Sequence, residues 1–437
     1  MAIGVGLLGL GTVGAGVAAI LASPEGRHPL VGELALRKVA VRDPSRPRPV
    51  VLDPSLLCVD PQAVVDDPAV EIVVEVMGGL EPARSLILRA IAAGKPVVTA
   101  NKAVIARHGE EIAAAAARAG VYVLIEAAVG GGIPIIEPLK QSLGGNRIQR
   151  VSGIINGTTN YILSRMADEG AAYGAVLADA QRLGYAEADP AADVEGHDAA
   201  DKIAILSALA FGGPVPRSAI ATEGIDRLDA RDVSYAAQLG YVVKLLAVAE
   251  RMDGLGPGAV PGNALPLDVR VHPTLLPRHH PLAGVHGVNN AILVEADPVG
   301  QVMFFGPGAG AGPTASAVVA DILNIAGIRR VGGAGLDPLL AAGSWRPCAL
   351  VDGALSRHRN YVRLRSRDEA GVIGKIGTAF GAAGVSIQSI VQYEANSGRA
   401  EIVVITHEVL EADFRRALEA ITSLGEVEAV AACLRTL

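Results

Sequence analysis

Aromatic side chains make up only 3% of this 437-residue chain, with one tryptophan. Its core must therefore be assembled mainly from Ala, Val, Leu and Ile. Half the residues are hydrophobic and the mean hydropathy is +0.38, so material for burial is ample. Cysteine is scarcer still. Cys58, Cys348 and Cys433 lie far apart, which excludes a disulfide framework or a zinc-ligand set and reads as unreactive thiols. Positive charge is not in excess: the net charge of −7 excludes a broad nucleic-acid-binding face. The apolar start lacks the basic region of a signal peptide. No stretch of about twenty apolar residues is free of glycine or charge, so no membrane span is expected and the cytoplasm is the expected compartment. The length predicts two or three domains.

Glycine, in contrast, is abundant, with 52 residues. Residues 3–8, IGVGLL, have the length of a buried parallel strand. GLGTVG follows at once and places Gly9, Gly11 and Gly14 in G-x-G-x-x-G spacing, before a helix rich in small residues. Gly9 would allow the tight turn, Gly11 the approach of a pyrophosphate, and Gly14 close strand–helix packing. The loop as a whole (Gly9, Leu10, Gly11, Thr12, Val13, Gly14) would present free N–H groups and a helix dipole to phosphates. In a glycine-rich chain the motif alone is weak; its place between strand and helix strengthens it.

A second strand, LRKVAVRD, ends at Arg42 and Asp43, where a dinucleotide fold meets the adenosine ribose. An acidic residue there favours the 2′-OH of NAD and an arginine the 2′-phosphate of NADP. Both are present. Arg46 and Arg48 nearby tip the expectation toward NADP, with NAD as the alternative. EIVVEVMGG (71–79), KPVVTANKAVIA and VYVLIEAAV (121–129) continue the β–α alternation and predict a doubly wound parallel sheet. Lys102 falls at a strand end, where such sheets bind ligands. Taken alone it reads equally well as a surface lysine.

The densest chemistry lies further on. NGTTNYIL opens an apolar helix, and Asn156 or Thr158 can cap it. LGYAEADPAADVEGHDAADK then brings Glu187, Asp189, Asp193, Glu195 and Asp198 ahead of an apolar helix over 199–210. Asp198 and Lys202 are four apart and share a helix face. That pair reads either as a surface ion pair or, since the helix is otherwise apolar, as a buried proton-transfer group with its carboxylate.

GLGTVG, TANKA, EAAVGGGIPII, NGTTNYIL and GYAEADPAADVEGHDAADK, in this order, resemble the homoserine dehydrogenase family over nearly the whole chain. The resemblance implies Lys202 as general acid/base and Asp198 as the residue orienting substrate or lysine. It implies that Glu187 and Asp193 bind the amino acid substrate and that Lys102 lies near nicotinamide and substrate. Gly312 would lie near the cofactor. Glu126, Val129, Gly131 and Ile133 occupy positions that hold a monovalent cation, usually sodium, in the family. The implied reaction interconverts L-aspartate 4-semialdehyde and L-homoserine, and the implied assembly is a homodimer or homotetramer.

The expected fold class is α/β. An N-terminal Rossmann doubly wound sheet (1–130, completed by 306–330) precedes an α+β substrate-binding and dimerisation domain (131–305), with strands of an antiparallel sheet predicted in DVRVHPTLLPRHHPLAGVHGVNNAILVEAD. Its histidines (His272, His279, His280, His286) lack ligand spacing. After a linker (331–355), residues 356–437 read β-α-β-β-α-β, a ferredoxin-like module. Its turn RDEAGVIGKI resembles the ACT domain, which implies an amino acid effector, threonine being the natural one, near Asp368–Ile373. Two rivals remain: another amino acid dehydrogenase on the same nucleotide fold, and an inactive sensor of nucleotide and amino acid. A semialdehyde dehydrogenase working through an acyl-enzyme would need a cysteine in the catalytic segment, and none lies there.

Overall fold

The computed structural model describes residues 2–256, 258–332, 335–341, 343–394 and 398–437. The chain forms two compact units: Met1–Val151 with Asp201–Ala219 and Asn289–Cys348, and Ser152–Ala200 with Ile220–Val288 and Ala349–Leu437.

The first unit is built on a parallel sheet of β1 (Ile3–Leu8), β2 (Leu34–Ala40), β3 (Leu57–Cys58), β4 (Ile72–Glu75), β5 (Val97–Thr99) and β6 (Val123–Leu124). Their spatial order is β3-β2-β1-β4-β5-β6. The order reverses beside β1, and such a switch point opens a crevice at the carboxyl ends of the strands. Helices α1 (Thr12–Ala22), α2 (Gln62–Asp66), α3 (Ala83–Ala92), α4 (Lys102–Ala119) and α5 (Ile136–Lys140) follow in this part of the chain. β1, β4 and β5 are almost wholly apolar and buried, as a strand covered on both faces must be. One acidic residue, Glu75, closes β4 in the interior. The segment expected as a strand over 121–129 pairs only at Val123–Leu124 and then tightens into a turn at Glu126–Ala128. The Glu126 carboxylate draws in the backbone N–H groups of Ile135, Ile136 and Glu137, which bends the chain out of the sheet.

Much later in the sequence, a hairpin of β11 (Asn289–Asp297) and β12 (Gly300–Pro307) leads into α11 (Ala311–Arg330). This 20-residue helix is apolar and long enough to cross a membrane by length and composition. It lies instead in the core of the first unit, where Ala315, Val318, Ile322 and Ala326 cluster with Val17 and Ala18 of α1 and with β1 and β4. Gly16 permits the close crossing, since a Cβ there would stand 2.6 Å from the Ala311 carbonyl oxygen.

The second unit carries α6 (Gly157–Glu169), α7 (Tyr173–Arg182), α8 (Ala191–Val194), β8 (Ala221–Thr222), α10 (Ala230–Gln238), β9 (Tyr241–Arg251) and β10 (Leu265–Pro277). The chain passes between the units along β7 (Arg147–Ile154), α9 (His197–Phe211) and β13 (Cys348–Leu350). The tail follows as β14 (Arg357–Arg367), α12 (Val372–Ala382), β15 (Ile387–Glu394), β16 (Arg399–Thr406), β17 (Val409–Leu410), α13 (Glu411–Thr422) and β18 (Val427–Thr436). Apart from the two-residue β17 this is the predicted β-α-β-β-α-β order. Its core joins Val362, Leu364, Ile376, Phe380, Val404, Phe414 and Ile421. The tail sheet does not stand alone: β18 pairs in parallel with β10, giving the run β9-β10-β18-β14-β16-β15. Arg363 of β14, fully buried, meets Asp232 of α10 and Glu401 of β16.

Candidate functional site

At the start of the first unit Gly9 has φ +107°, a left-handed conformation that a side chain would strain. A Cβ at Gly14 would stand 2.3 Å from the Gly9 carbonyl oxygen, so strand and helix could not close. Gly11 has nothing within 4 Å of the place a Cβ would take, and no side chain caps α1. The loop therefore offers an open approach and uncapped N–H groups, the provision a pyrophosphate needs. Thr12 is exposed, Val13 half-buried, and Leu10 buried. Leu10 also lines a cavity of about 310 Å³ with Arg46, Arg48, Val50, Leu52 and Leu57. These apolar walls with a basic rim fit the adenosine end of a dinucleotide. Gly312, on the first turn of α11, is likewise open.

Arg42 and Asp43 follow β2 and are exposed. The Asp43 carboxylate accepts from the backbone N–H (2.9 Å) and hydroxyl (2.6 Å) of Ser45, two residues on. Those bonds hold its carboxyl below the usual range and turn it onto its own loop. Arg48 donates to the carbonyls of Asp43 and Arg46.

At the carboxyl ends of β4 and β5 a buried network appears that the sequence reading did not find. Glu75, wholly buried, accepts from the Met77 N–H (2.8 Å) and the Thr99 hydroxyl (2.6 Å). Thr99 accepts in turn from the Asn101 N–H (3.0 Å), and the Asn101 side chain caps α4 while donating to the Gly79 carbonyl (2.7 Å). Half-buried Lys102 is the first residue of that helix. A carboxylate ending an apolar strand was the available signal. On the same helix Arg107 donates to Asp201 (3.0 Å), which also accepts from Arg217 (2.7 Å). Asp201, also missed, thus ties the helix of Lys102 to the helix of Lys202. Lys202 is buried, 9% exposed.

Around Glu126 the expected cation positions gather on one turn. Both carboxylate oxygens of Glu126 face backbone donors at 2.7–2.9 Å, and burial pushes its carboxyl up from the usual 4.5 against the pull of those donors. Its backbone N–H donates to Asp321, a second, wholly buried carboxylate whose Oδ1 has no hydrogen-bond partner among the described residues. Burial pushes the Asp321 carboxyl well above its usual range. Val129 and Ile133 are buried, and Gly130 and Gly131 both take left-handed φ. Among the described residues no three His, Cys, Asp or Glu side chains are placed to hold a metal. A cation here would depend on backbone carbonyls, and its charge would offset the burial that pushes these two carboxyls up.

In the second unit the acidic segment is organised by the turn before α6. Asn156 caps that helix: its Oδ1 accepts from the Thr159 N–H (2.9 Å) and hydroxyl (2.9 Å). Its Nδ2 donates to Asp193 Oδ1 (2.7 Å) and Asp198 Oδ2 (2.9 Å). Thr158 donates to the carbonyl of Tyr185, two residues before exposed Glu187, whose own carbonyl accepts from Gln181. Asp193 is half-buried on α8, and Asp198 is buried on the first turn of α9. Lys202 follows one turn later on that helix. In the tail, Asp368–Ile373 spans the turn after β14 and the first two residues of α12, and Asp368 accepts from Gln392 (2.9 Å).

The three cysteines are unpaired, and burial pushes each thiol up, Cys433 to about 12. His272 is buried between Arg270 and Thr274.

Residues 9–126 match the family model of the NAD-binding domain of homoserine dehydrogenase, 134–323 that of homoserine dehydrogenase, and 360–426 that of the ACT domain. A homoserine dehydrogenase from Synechocystis sp. is 56% identical over 441 residues, covering 100% of both chains. One from Corynebacterium glutamicum is 43% identical, covering 99% of this chain and 95% of its own. Among solved structures, a homoserine dehydrogenase from Thiobacillus denitrificans is similar with a TM-score of 0.87 at 42% identity, covering 100% of this chain and 98% of its own. A hyperthermophilic archaeal homoserine dehydrogenase in complex with NADPH has a TM-score of 0.61 at 27% identity, covering 77% of this chain and 100% of its own.

Proposed function

The chain belongs to the homoserine dehydrogenase family, nicotinamide-dependent oxidoreductases, and from that premise we propose how its residues interconvert L-aspartate 4-semialdehyde and L-homoserine. The observation that carries the reading is the pairing of Asp193 and Asp198 on one buried amide, one helical turn before Lys202. When bound, the nicotinamide supplies the hydride. As the aldehyde carbon gains it, the oxygen gains negative charge. The Lys202 ammonium stabilises that charge and donates a proton, leaving as an amine that solvent reprotonates. In the oxidising direction the amine takes the hydroxyl proton. Glu187 and Asp193 hold the substrate ammonium by charge-assisted hydrogen bonds, Asp198 orients substrate and lysine, and Lys102 would serve nicotinamide and substrate. Residues 1–130 with 306–330 serve the cofactor and 131–305 the substrate.

The glycine loop, Arg42 and Gly312 bind the cofactor, which is NADP. Supporting this choice, Asp43 is engaged by Ser45 and so is poorly placed to receive a ribose 2′-OH, while Arg46 and Arg48 line the cavity and Arg42 is exposed beside Asp43. A monovalent cation, sodium, would be held by the carbonyls of Val129, Gly131 and Ile133 with Glu126. The assembly is a homodimer at least, an idea favoured by exposed Met303 and Phe305 on β12. The ACT turn at Asp368–Ile373 takes threonine as a feedback effector, and the enzyme works in the cytoplasm.

The test is homoserine-dependent reduction of NADP and of NAD by the purified chain, with and without threonine. Turnover with NADP at a kcat/KM at least about tenfold above NAD is expected, with threonine lowering it. Absence of reduction with either cofactor contradicts the catalytic reading, and a preference for NAD contradicts the cofactor choice.

A further inference from the structure

A helix cap needs one acceptor, and Ser, Thr or Asp supplies it as well as Asn does. Asn156 is nevertheless an amide, and capping α6 uses only its Oδ1. What the cap leaves over is the NH2 group. Its two protons have two partners, the carboxylates of Asp193 and Asp198. The amide makes all four hydrogen bonds open to it, in the interior, at 5% exposure.

The orientation is forced. Oδ1 faces a main-chain N–H, which can only donate, so Nδ2 must face the carboxylates. The turn that aims the amide is itself anchored. Asn160, one helical turn on, donates to the carbonyls of Val285 and Gly287 and accepts from buried Lys244 (3.0 Å). Gly157 lets the helix approach Val288, because a Cβ there would stand 2.8 Å from its carbonyl oxygen. From the same turn Thr158 holds the backbone two residues before Glu187. A single turn, 156–160, therefore touches each segment that carries a proposed substrate carboxylate.

Two carboxylates drawn together repel unless a donor lies between them, and the Asn156 Nδ2 is that donor. We propose that Asn156 is a positioning residue: its amide holds Asp193 and Asp198 side by side, so that both can act on the amino acid substrate. The proposal rests on the reading that these two aspartates belong to the substrate site.

Variants at position 156 separate capping from positioning. Asn156→Asp and Asn156→Ser both keep a cap, but aspartate has no proton to donate and serine has one. A purely capping role predicts that both keep wild-type kinetics. Positioning predicts a rise in KM for homoserine of at least about tenfold in Asn156→Asp, the loss of a charge-assisted hydrogen bond, with Asn156→Ser between it and wild type. Cofactor affinity by fluorescence titration should stay within about twofold in both. If the aspartate variant does not fold, Asn156→Ser decides: a raised homoserine KM supports the proposal and a wild-type KM overturns it. Asp198→Asn is measured alongside. Wild-type kinetics in that variant defeat the underlying substrate-site reading. An impaired Asp198→Asn with equal, wild-type-like Asn156→Asp and Asn156→Ser overturns the positioning role alone.

Discussion

Arg363 and Asp232 form a two-pronged ion pair sealed from solvent: Nε to Oδ1 at 2.7 Å and Nη2 to Oδ2 at 3.0 Å. The residues stand 131 positions apart, one on the tail's first strand and one on α10. The remaining guanidinium nitrogen reaches Glu401, and the Tyr361 hydroxyl donates to Asp232. Removing one partner of such a pair leaves the others charged and buried. Arg363→Met should therefore lower unfolding stability by about 3–5 kcal/mol in urea titration. A change below about 1 kcal/mol would show that the pair holds nothing together. Replacing Arg363, Asp232 and Glu401 together by apolar residues should recover much of the loss.

Lys244 makes a second, pH-dependent prediction. It is 1% exposed, and burial brings its ammonium down from the usual 10.5 to about 8, only partly offset by Asp168. Below pH 8 both folded and unfolded chains hold the proton, and the cost of burying the charge is constant. Between about 8 and 10.5 the folded chain sheds the proton while the unfolded chain keeps it, so this residue's contribution to stability rises with pH. The difference in unfolding free energy between wild type and Lys244→Met, measured across that window, should grow in favour of wild type. A flat difference would mean that Lys244 keeps an ordinary ammonium.

The Glu126 turn predicts a specific ion effect. Sodium should raise the unfolding temperature relative to tetramethylammonium at equal ionic strength, since a cation bound only by the folded chain stabilises it. Glu126→Gln should diminish the effect. Equal unfolding temperatures in the two salts would remove the cation from the account.

How far the residues alone could be read depended on the range of the interaction. The glycine loop and the β–α alternation are local patterns, and they predicted a sheet that the structure orders as β3-β2-β1-β4-β5-β6. The tail's β-α-β-β-α-β order was legible for the same reason. Its parallel seam with β10, at Thr274–Arg435 and Leu275–Thr436, joins strands too distant for local pattern to reveal. Glu126 was visible as a candidate ligand but not as the acceptor that ends a strand, because its donors come nine to eleven residues later. Asn156 read as a cap, which it is; the second half of its amide needed Asp193 and Asp198, 37 and 42 residues away. Asp201 passed unnoticed beside Lys202 because Arg107 lies 94 residues off.

Lys202 is the proton donor proposed for the reaction. The most direct measurement is homoserine-dependent NADP reduction by Lys202→Met, beside a fluorescence titration of the same variant with NADPH. A fall in kcat of about 10²–10⁴-fold is predicted, the usual worth of a general acid–base group, with NADPH affinity unchanged. Turnover close to wild type, in a variant that still binds cofactor, would contradict it.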